Sequence, residues 1–457
     1  MQKAIYSIAM DNILKLSEDG KTVIGVMNKE YSYNSYCRYS YHCRIINVYA
    51  KSITHITIPE GVTTIGKEAF IGCSALKSID IPNSVTTIGD SAFKFCSALK
   101  SIEIPNSVTE IGMEVFYGCE ALQNIKIPNR VTIIGRDAFR GCSALQSINI
   151  PNSVTTIGRE AFYGCEALQD TVIPWRLTEI EWGTFYGCSA LQSINIPNSV
   201  TTIGREAFYG CEALQSINIP YKVKSIGLRA FHDCAALKSI NVSRGNQHFT
   251  FIDGILFNKE LNTIIKFLEG NNIEKYTIPD SVTTIVNSAF SGCKALQSIN
   301  IPNSVIKIRD KAFVNCSALQ NINIPNRIKD IPIEAFMGCS SLQSIVIPNC
   351  VKRIGNSTFK DCSSLQNIVI PNSVMRIGNS AFEGCSSLQS IDISNSVTTI
   401  EENTFWDCSS LQSIDIPNSA TTIGSCAFEG CSSLQSIHIH WKQLEYLQIT
   451  LYQLFAN

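Results

Sequence analysis

Residues 76–96 read Leu76-Lys77-Ser78-Ile79-Asp80-Ile81-Pro82-Asn83-Ser84-Val85-Thr86-Thr87-Ile88-Gly89-Asp90-Ser91-Ala92-Phe93-Lys94-Phe95-Cys96. Ile79 and Ile81 alternate with a polar residue, the pattern of a short strand with one buried face. Pro82 ends that strand, because proline has no N–H to give to a neighbour. Val85 and Ile88 point a second, looser segment inward, and Gly89 permits the tight bend that follows. Asp90-Ser91-Ala92-Phe93 reads as a single helical or 3-10 turn whose Phe plugs the core. One such coil buries a Leu, two Ile, a Val, a third Ile, a Phe and a Cys.

The Cys returns every 23 residues with the same neighbours. Cys73 to Cys234 form one run of eight and Cys293 to Cys431 a second run of seven, each with a Phe three residues before and a Leu three residues after. A fixed period of this length means one supersecondary unit per repeat, stacked into a solenoid. Strand starts at Ile53, at the fifteen Leu and at Ile273 give seventeen rungs.

Bulk composition narrows the function classes. The 457 residues carry 16% charged side chains and a formal net charge of −1, without the basic footprint of a nucleic-acid binder. No run of 18 apolar residues offers a membrane span. Nineteen Cys would suggest a disulfide scaffold in a short chain, but fifteen of them share one repeat position and the total is odd. Equivalent positions on stacked parallel strands lie ~4.8 Å apart with parallel Cβ vectors, so a ladder of buried thiols is expected instead of disulfides.

Two segments break the rhythm. Between Leu237 and Ile273 the spacing is 36 instead of 23. The extra residues contain Phe249 to Phe257, a polar turn at Asn258 to Asn262, then Thr263 to Phe267, which reads as a β-hairpin emerging from the solenoid. A similar unit stands near the N-terminus, where Asp19-Gly20 separates Ile13 to Ser17 from Thr22 to Val26, a strong hairpin signal. The apolar run Ala4 to Met10 behind Lys3 reads as the first strand of the mature fold, not as an export signal. Residues 29–46 are Tyr-rich and irregular. The domain plan is an N-terminal cap over 1–52, a solenoid over 53–437 with the insertion at about 243–270, and a tail or cap over 438–457.

These residues resemble the BspA-like leucine-rich repeat family, whose unit runs Leu-x-x-Ile-x-Ile-Pro-x-x-Val-x-x-Ile-Gly-x-x-Ala-Phe-x-x-Cys. The likeness covers about residues 53–437, and the hairpin around Asp253 to Asn258 also looks like one found in that family. The Asn ladder of the commonest leucine-rich repeats is missing. The resemblance implies an α/β solenoid, a right-handed superhelix with a parallel β-sheet on one face and short helical or 3-10 turns on the other. It further implies a bacterial surface or secreted protein that binds other proteins, host or matrix proteins among them, often in adhesion. Because the chain offers no clear signal peptide, an intracellular structural scaffold in the cytoplasm is the alternative.

Catalysis needs dissimilar groups converging at one place. Residues 145–168 and 191–214 are identical over 24 positions, so the surface offers ladders of one group and not an acid facing a base. His438 and His440 beside Trp441, and Cys37 with His42 and Cys43, are weak metal candidates without further ligands. The chain reads as non-enzymatic, with no cofactor and no metal. Binding is the better expectation. The exposed strand positions are Gln, Ser and Asn, as in Gln146, Ser147 and Asn149. On the opposite side Tyr163, Tyr186 and Tyr209 share one repeat position, and four residues before them stand Arg159, Trp182 and Arg205. On a helical turn i and i+4 face the same way, which makes one stripe of residues enriched at binding hot spots. Trp175, with Arg176, replaces the usual Asn-Ser nearby. The alternative is that these rings merely cover the outer edge of each core.

Overall fold

Each rung has three sides, and the first is the strand read from Ile-x-Ile. Ser147–Asn149 pairs in parallel with Asn124–Lys126 behind it and Asp170–Val172 ahead, each in a register of 23 residues. Ile148 and Ile150 are buried while Ser147 and Asn149 face outward. The second side is a two-residue strand such as Thr156–Ile157, paired with Ile133–Ile134 in the same register. The computed structural model describes residues 14–26 and 53–438, and divides into two compact units. The first comprises Met1–Leu237 and Asn241–Asn246, the second Lys238–Ile240 and Gln247–Asn457. First-side segments recur at all seventeen expected places, one of them, around Ser344 and Val346, as isolated bridges.

The third side departs from expectation. Among the described residues there is no α- or 3-10 helix. In all fifteen Phe-to-Cys turns the residue two before the Phe has φ between 52° and 62°, and the residue before the Cys has φ between 55° and 76°. A right-handed helix cannot pass through left-handed residues spaced four apart, so the expected helical turn is a pleated strip instead. Its amides alternate. Glu160, Phe162 and Gly164 donate to Trp182, Thr184 and Tyr186 carbonyls of the next rung at 2.9, 2.9 and 2.7 Å. Between them Ala161, Tyr163 and Cys165 close turns onto Gly158, Glu160 and Phe162. Gly89 also has a different role from the one expected. Its φ is not positive, but a Cβ there would stand 2.5 Å from the Lys67 backbone nitrogen, so it lets neighbouring rungs approach.

The core columns follow the repeat. In one rung Leu145, Ile148, Ile150, Val154, Ile157, Ala161, Phe162 and Cys165 are all buried. The Phe rings stack from rung to rung, with centroids 5.3 to 5.8 Å apart from Phe70 to Phe231 in the first unit. Those from Phe267 to Phe428 in the second lie 5.1 to 5.6 Å apart. The Cys are free thiols, as the parallel Cβ vectors require. From Cys96 to Cys431 each repeat Cys has a specific acceptor: Cys165 Sγ donates to the Phe139 carbonyl at 3.2 Å, and Cys188 to Phe162 at 3.3 Å. Thus the ladder is hydrogen-bonded, and Cys serves as more than a small apolar filler.

Both irregular segments are built into the stack. Leu14–Leu16 pairs antiparallel with Thr22–Val26, and the latter continues the second side in parallel with Thr64–Ile65. The insertion has three strands, Phe249–Ile252, Ile255–Asn258 and Thr263–Phe267, with its first turn at Asp253-Gly254. It does not simply emerge from the solenoid. Thr263 pairs with Thr284 and Phe267 packs on Phe290 at 5.1 Å, so the last strand starts the second unit's ladder. The expected strand at 4–10, the Tyr-rich segment, Cys37, His42, Cys43, His440, Trp441 and the tail lie outside the described residues. His438 places Nδ1 2.6 Å from the Asp415 carboxylate.

Two predictions follow from the rung. Burial pushes the repeat thiols up, Cys73 and Cys119 to about 12 and Cys431 to about 11. The unfolded thiols ionise near pH 8.5, so above that pH the folded state holds more protons and loses ~1.4 kcal/mol per pH unit per thiol. The urea midpoint should fall steeply from pH 9 to 10.5, and native thiol labelling should spare the buried column; a flat midpoint or rapid labelling contradicts the buried ladder. At Gly89, Ala must displace a neighbouring backbone, at ~1–3 kcal/mol. At Gly164 a Cβ meets only ordinary contacts, leaving the left-handed cost of ~1–2 kcal/mol. Urea denaturation should rank Gly89→Ala below Gly164→Ala in stability, and the reverse order would refute the close-approach role.

Candidate functional site

The third side of the first unit carries one column, the residue after each repeat Phe. Over the eight rungs it reads Ile71, Lys94, Tyr117, Arg140, Tyr163, Tyr186, Tyr209, His232, with the His232 ring 5.0 Å from that of Tyr209. Because each turn is hydrogen-bonded to the next, these side chains are held at the rung spacing. Tyr163 stacks on Tyr186 and Tyr186 on Tyr209, centroids 4.4 Å apart and planes within 8°. The guanidinium of Arg140 lies 4.2 Å over the Tyr163 ring, and that of Arg229 4.8 Å over Tyr209. Lys94 stands 4.6 Å and Arg140 5.7 Å over Tyr117, which also meets the edge-on Phe95 ring. Cations over ring faces are attracted by the ring quadrupole, so aromatic and cationic members of the column support one another.

A neighbouring column, the left-handed residue of each turn, supplies counter-charges. Glu114 receives Lys94 at 2.6 Å and Ser91 Oγ at 3.0 Å. Burial raises its pKa, yet these hydrogen bonds and the Lys94 charge outweigh burial and hold the carboxyl below its usual range. Arg140 pairs with Asp137 at 3.2 Å and with Glu160. Asp137 is shifted upward by burial, against the pull of Arg140 and Arg136. Glu206 is the most shared carboxylate of this column. It accepts from Trp182 Nε1 at 3.3 Å and pairs with Arg205 at 3.3 Å and Arg229 at 3.1 Å. Burial likewise raises the Tyr186 and Tyr209 phenols, with Tyr163 adding to the first and a hydrogen bond to Asp233 to the second. These phenols are neutral at physiological pH.

The three tyrosines of the expected stripe stack as one ladder, while the cations over their rings are not the ones expected. Without a helix, the i, i+4 argument does not apply. Arg159 pairs with Glu181 of the next rung at 3.5 Å, and Arg205 is tied to Glu206. The cations on the rings are Arg140 and Arg229, which the sequence reading passed over. Arg140 was findable, since it occupies the tyrosine column itself; Arg229 was not, since the backbone turn that aims it is invisible in the repeat. Trp182 is 41% exposed at the rim of the ladder. Trp175 is 58% exposed at a different corner, after the first-side strand, with the Arg176 guanidinium 4.9 Å over its ring. It lines a shallow groove with Pro197, Asn198, Ser199 and Lys222, apart from the tyrosines. Chemically, the ladder presents ring edges, phenol donors and held guanidinium groups, a surface suited to recognition.

Comparison with known proteins agrees with this architecture. The family description "BspA type Leucine rich repeat region" matches residues 47–169, 132–264, 263–363 and 329–454. A leucine-rich cell surface protein from Faecalibacterium prausnitzii is 29% identical, with a TM-score of 0.57 over 95% of this chain and 94% of that one. A leucine-rich repeat protein from Eubacterium ventriosum shares the fold at 24% identity, with a TM-score of 0.53 over 87% of each chain. No curated protein matches the sequence. Among the described residues no helix is long and apolar enough to cross a membrane. The matched segments span nearly the whole repeat array, and the chain belongs to the BspA-type leucine-rich repeat family.

Proposed function

We propose that this chain is a non-catalytic protein-binding module of a cell surface or secreted protein, and that its partner seats on the tyrosine ladder of the first unit. The observation that carries this reading is the stack Tyr163–Tyr186–Tyr209, closed by Arg140 and Arg229 and rimmed by the exposed Trp182. Trp, Tyr and Arg are the residue types that dominate binding energy, and fixed rings lose little freedom on association. The surface location is supported by the description of the similar Faecalibacterium prausnitzii protein as a cell surface protein. Residues 1–52 and 438–457 are proposed as covers for the two open ends, which a solenoid needs to remain soluble.

The test uses a partner captured by the full chain and titrated against variants. Trp182→Ala combined with Tyr186→Ala should cost ~2 kcal/mol or more of binding, about thirty-fold in Kd. Gln192→Ala with Asn195→Ala, on the exposed strand face, should leave affinity unchanged. Thermal melts accompany both, because Tyr186 is stacked on both sides and its loss also lowers stability. Affinity that follows the strand-face pair and ignores the ladder pair would move the site to the sheet. Trp182→Ala alone, at the rim, separates lost contact from lost packing.

A further inference from the structure

In seven rungs the second side carries two threonines, as at Thr398-Thr399 and Thr421-Thr422 of the second unit. Four successive rungs of that unit depart from this, reading Ile306-Lys307, Lys329-Asp330, Lys352-Arg353 and Met375-Arg376. Here the ladder also breaks. Lys307–Ile308 ends one sheet and Asp330–Ile331 begins the next. Gly355 donates its amide to the Ile331 carbonyl at 2.8 Å, but Pro332, at the same position one rung earlier, has no N–H to offer Ile308. The preceding rung carries Arg309 where the repeat has Gly. At this break lies a groove of about 950 Å³.

Its lining is strongly basic. Lys307, Arg309, Arg327, Lys329, Arg353 and Arg376 face Asp310 and Asp330 as the only carboxylates lining it. Arg353 is bound bidentately by Asp330 at 2.8 and 3.2 Å, and Arg376 pairs with Glu401 at 3.5 Å. Lys307, Arg309, Arg327 and Lys329 make no ion pair among the described residues. Arg353 and Arg376 are register partners on adjacent strands, where like charges repel. Two apolar side chains are set among these cations, Ile306 at 48% and Ile333 at 43% exposed. Among the described residues Asp330 and Glu401 offset Arg353 and Arg376, and the other four cations of the groove have no ion-pair partner in a chain whose net charge is −1.

We propose that this groove is a second docking site, separate from the tyrosine ladder, for an extended acidic peptide segment of a partner protein that also carries aliphatic side chains. It rests on the reading of the chain as a protein-binding module and adds the chemistry of one partner. Carboxylates on the peptide supply the charge that the four unpaired cations lack, and Ile306 and Ile333 select against a purely ionic polymer. No aromatic ring lines the groove on which a nucleobase could stack, which sets it apart from single-stranded nucleic-acid sites. Four rungs at ~4.8 Å span ~19 Å, the length of about six extended residues.

The experiment titrates the full chain with a fluorescein-labelled ten-residue peptide of alternating Glu and Leu, with a Glu/Ser peptide and a single-stranded oligonucleotide as comparators. The Glu/Leu peptide should bind best. Lys307→Glu with Lys329→Glu should weaken it at least about ten-fold, and the uncharged pair Lys307→Gln with Lys329→Gln by less. Ile306→Ser should weaken the Glu/Leu peptide and leave the Glu/Ser peptide unmoved. Trp182→Ala should leave both unmoved, so that failure of the ladder and failure of the groove are told apart. Glu/Leu affinity that survives the lysine variants overturns the proposal. Equal or tighter binding of the oligonucleotide, indifferent to Ile306→Ser, also overturns it and makes the groove a general polyanion site. Melting curves of both lysine pairs establish folding, with the Gln pair deciding if the Glu pair unfolds.

Discussion

The alternating hydrogen bonding of the third side is the constraint on which the rest depends. Every second amide of the turn leaves its own rung to find the next one, as Glu160, Phe162 and Gly164 do. The amides between them close the turn onto themselves. This alternation requires two left-handed residues per rung, and all fifteen Phe-to-Cys turns have them. A left-handed residue other than Gly costs ~1–2 kcal/mol, so the arrangement persists only because the stacked Phe rings, the thiol column and the rung-to-rung bonds over-determine it. Because the turn is tied forward in the rungs from Phe70 to Phe208 and from Phe290 to Phe405, a side chain on it repeats at a fixed spacing there. That is why three tyrosines can stack at 4.4 Å and why a guanidinium can be held over each end.

Function therefore grows from departures within a regular frame. Identical rungs make neutral ladders of Ser, Thr, Asn and Gln with no distinguishing chemistry. Where the column after the Phe is filled with Lys, Tyr and Arg, an aromatic and cationic surface forms on the first unit. Where Thr-Thr gives way to Lys and Arg in the second unit, and Pro332 withholds an amide, a basic groove opens. Both follow from the same mechanics, since a solenoid can change one column without disturbing the core. The buried column is much less tolerant. Thr184 and Thr404 occupy an alanine position there, and each finds an acceptor inside its own turn, the Glu181 and Glu401 carbonyls at 2.9 and 2.7 Å.

Much of this was legible in the chain. The period located every first-side strand among the described residues, the buried columns and the free thiols, because equivalent positions in a parallel stack must share an environment. The third side was half legible. Gly164 and its counterparts before the Cys, replaced at times by Asp233, Asn315, Asp361 and Asp407, are residue types that tolerate a left-handed backbone, with Phe95 the exception. That signal pointed away from a helix. Two residues before the Phe stand Glu160, Ser357 and Lys311, which carry no such signal, and there tertiary hydrogen bonding overrides local preference. Reading each column down the stack would have added Lys94 and Arg140 to the tyrosines. The role of Glu206 was not legible, since its three partners come from three successive rungs and meet through a backbone turn that no motif announces.

The pleated third side is the central claim, and amide hydrogen exchange read residue by residue tests it most directly. If the rungs are tied as described, the amides of Glu160, Phe162 and Gly164 should be protected to the same degree as the strand amides of Ser147 to Asn149, and should lose protection together with them as urea rises. Exchange at those three amides orders of magnitude faster than in the strands, or protection restricted to a helical i to i−4 pattern, would contradict it.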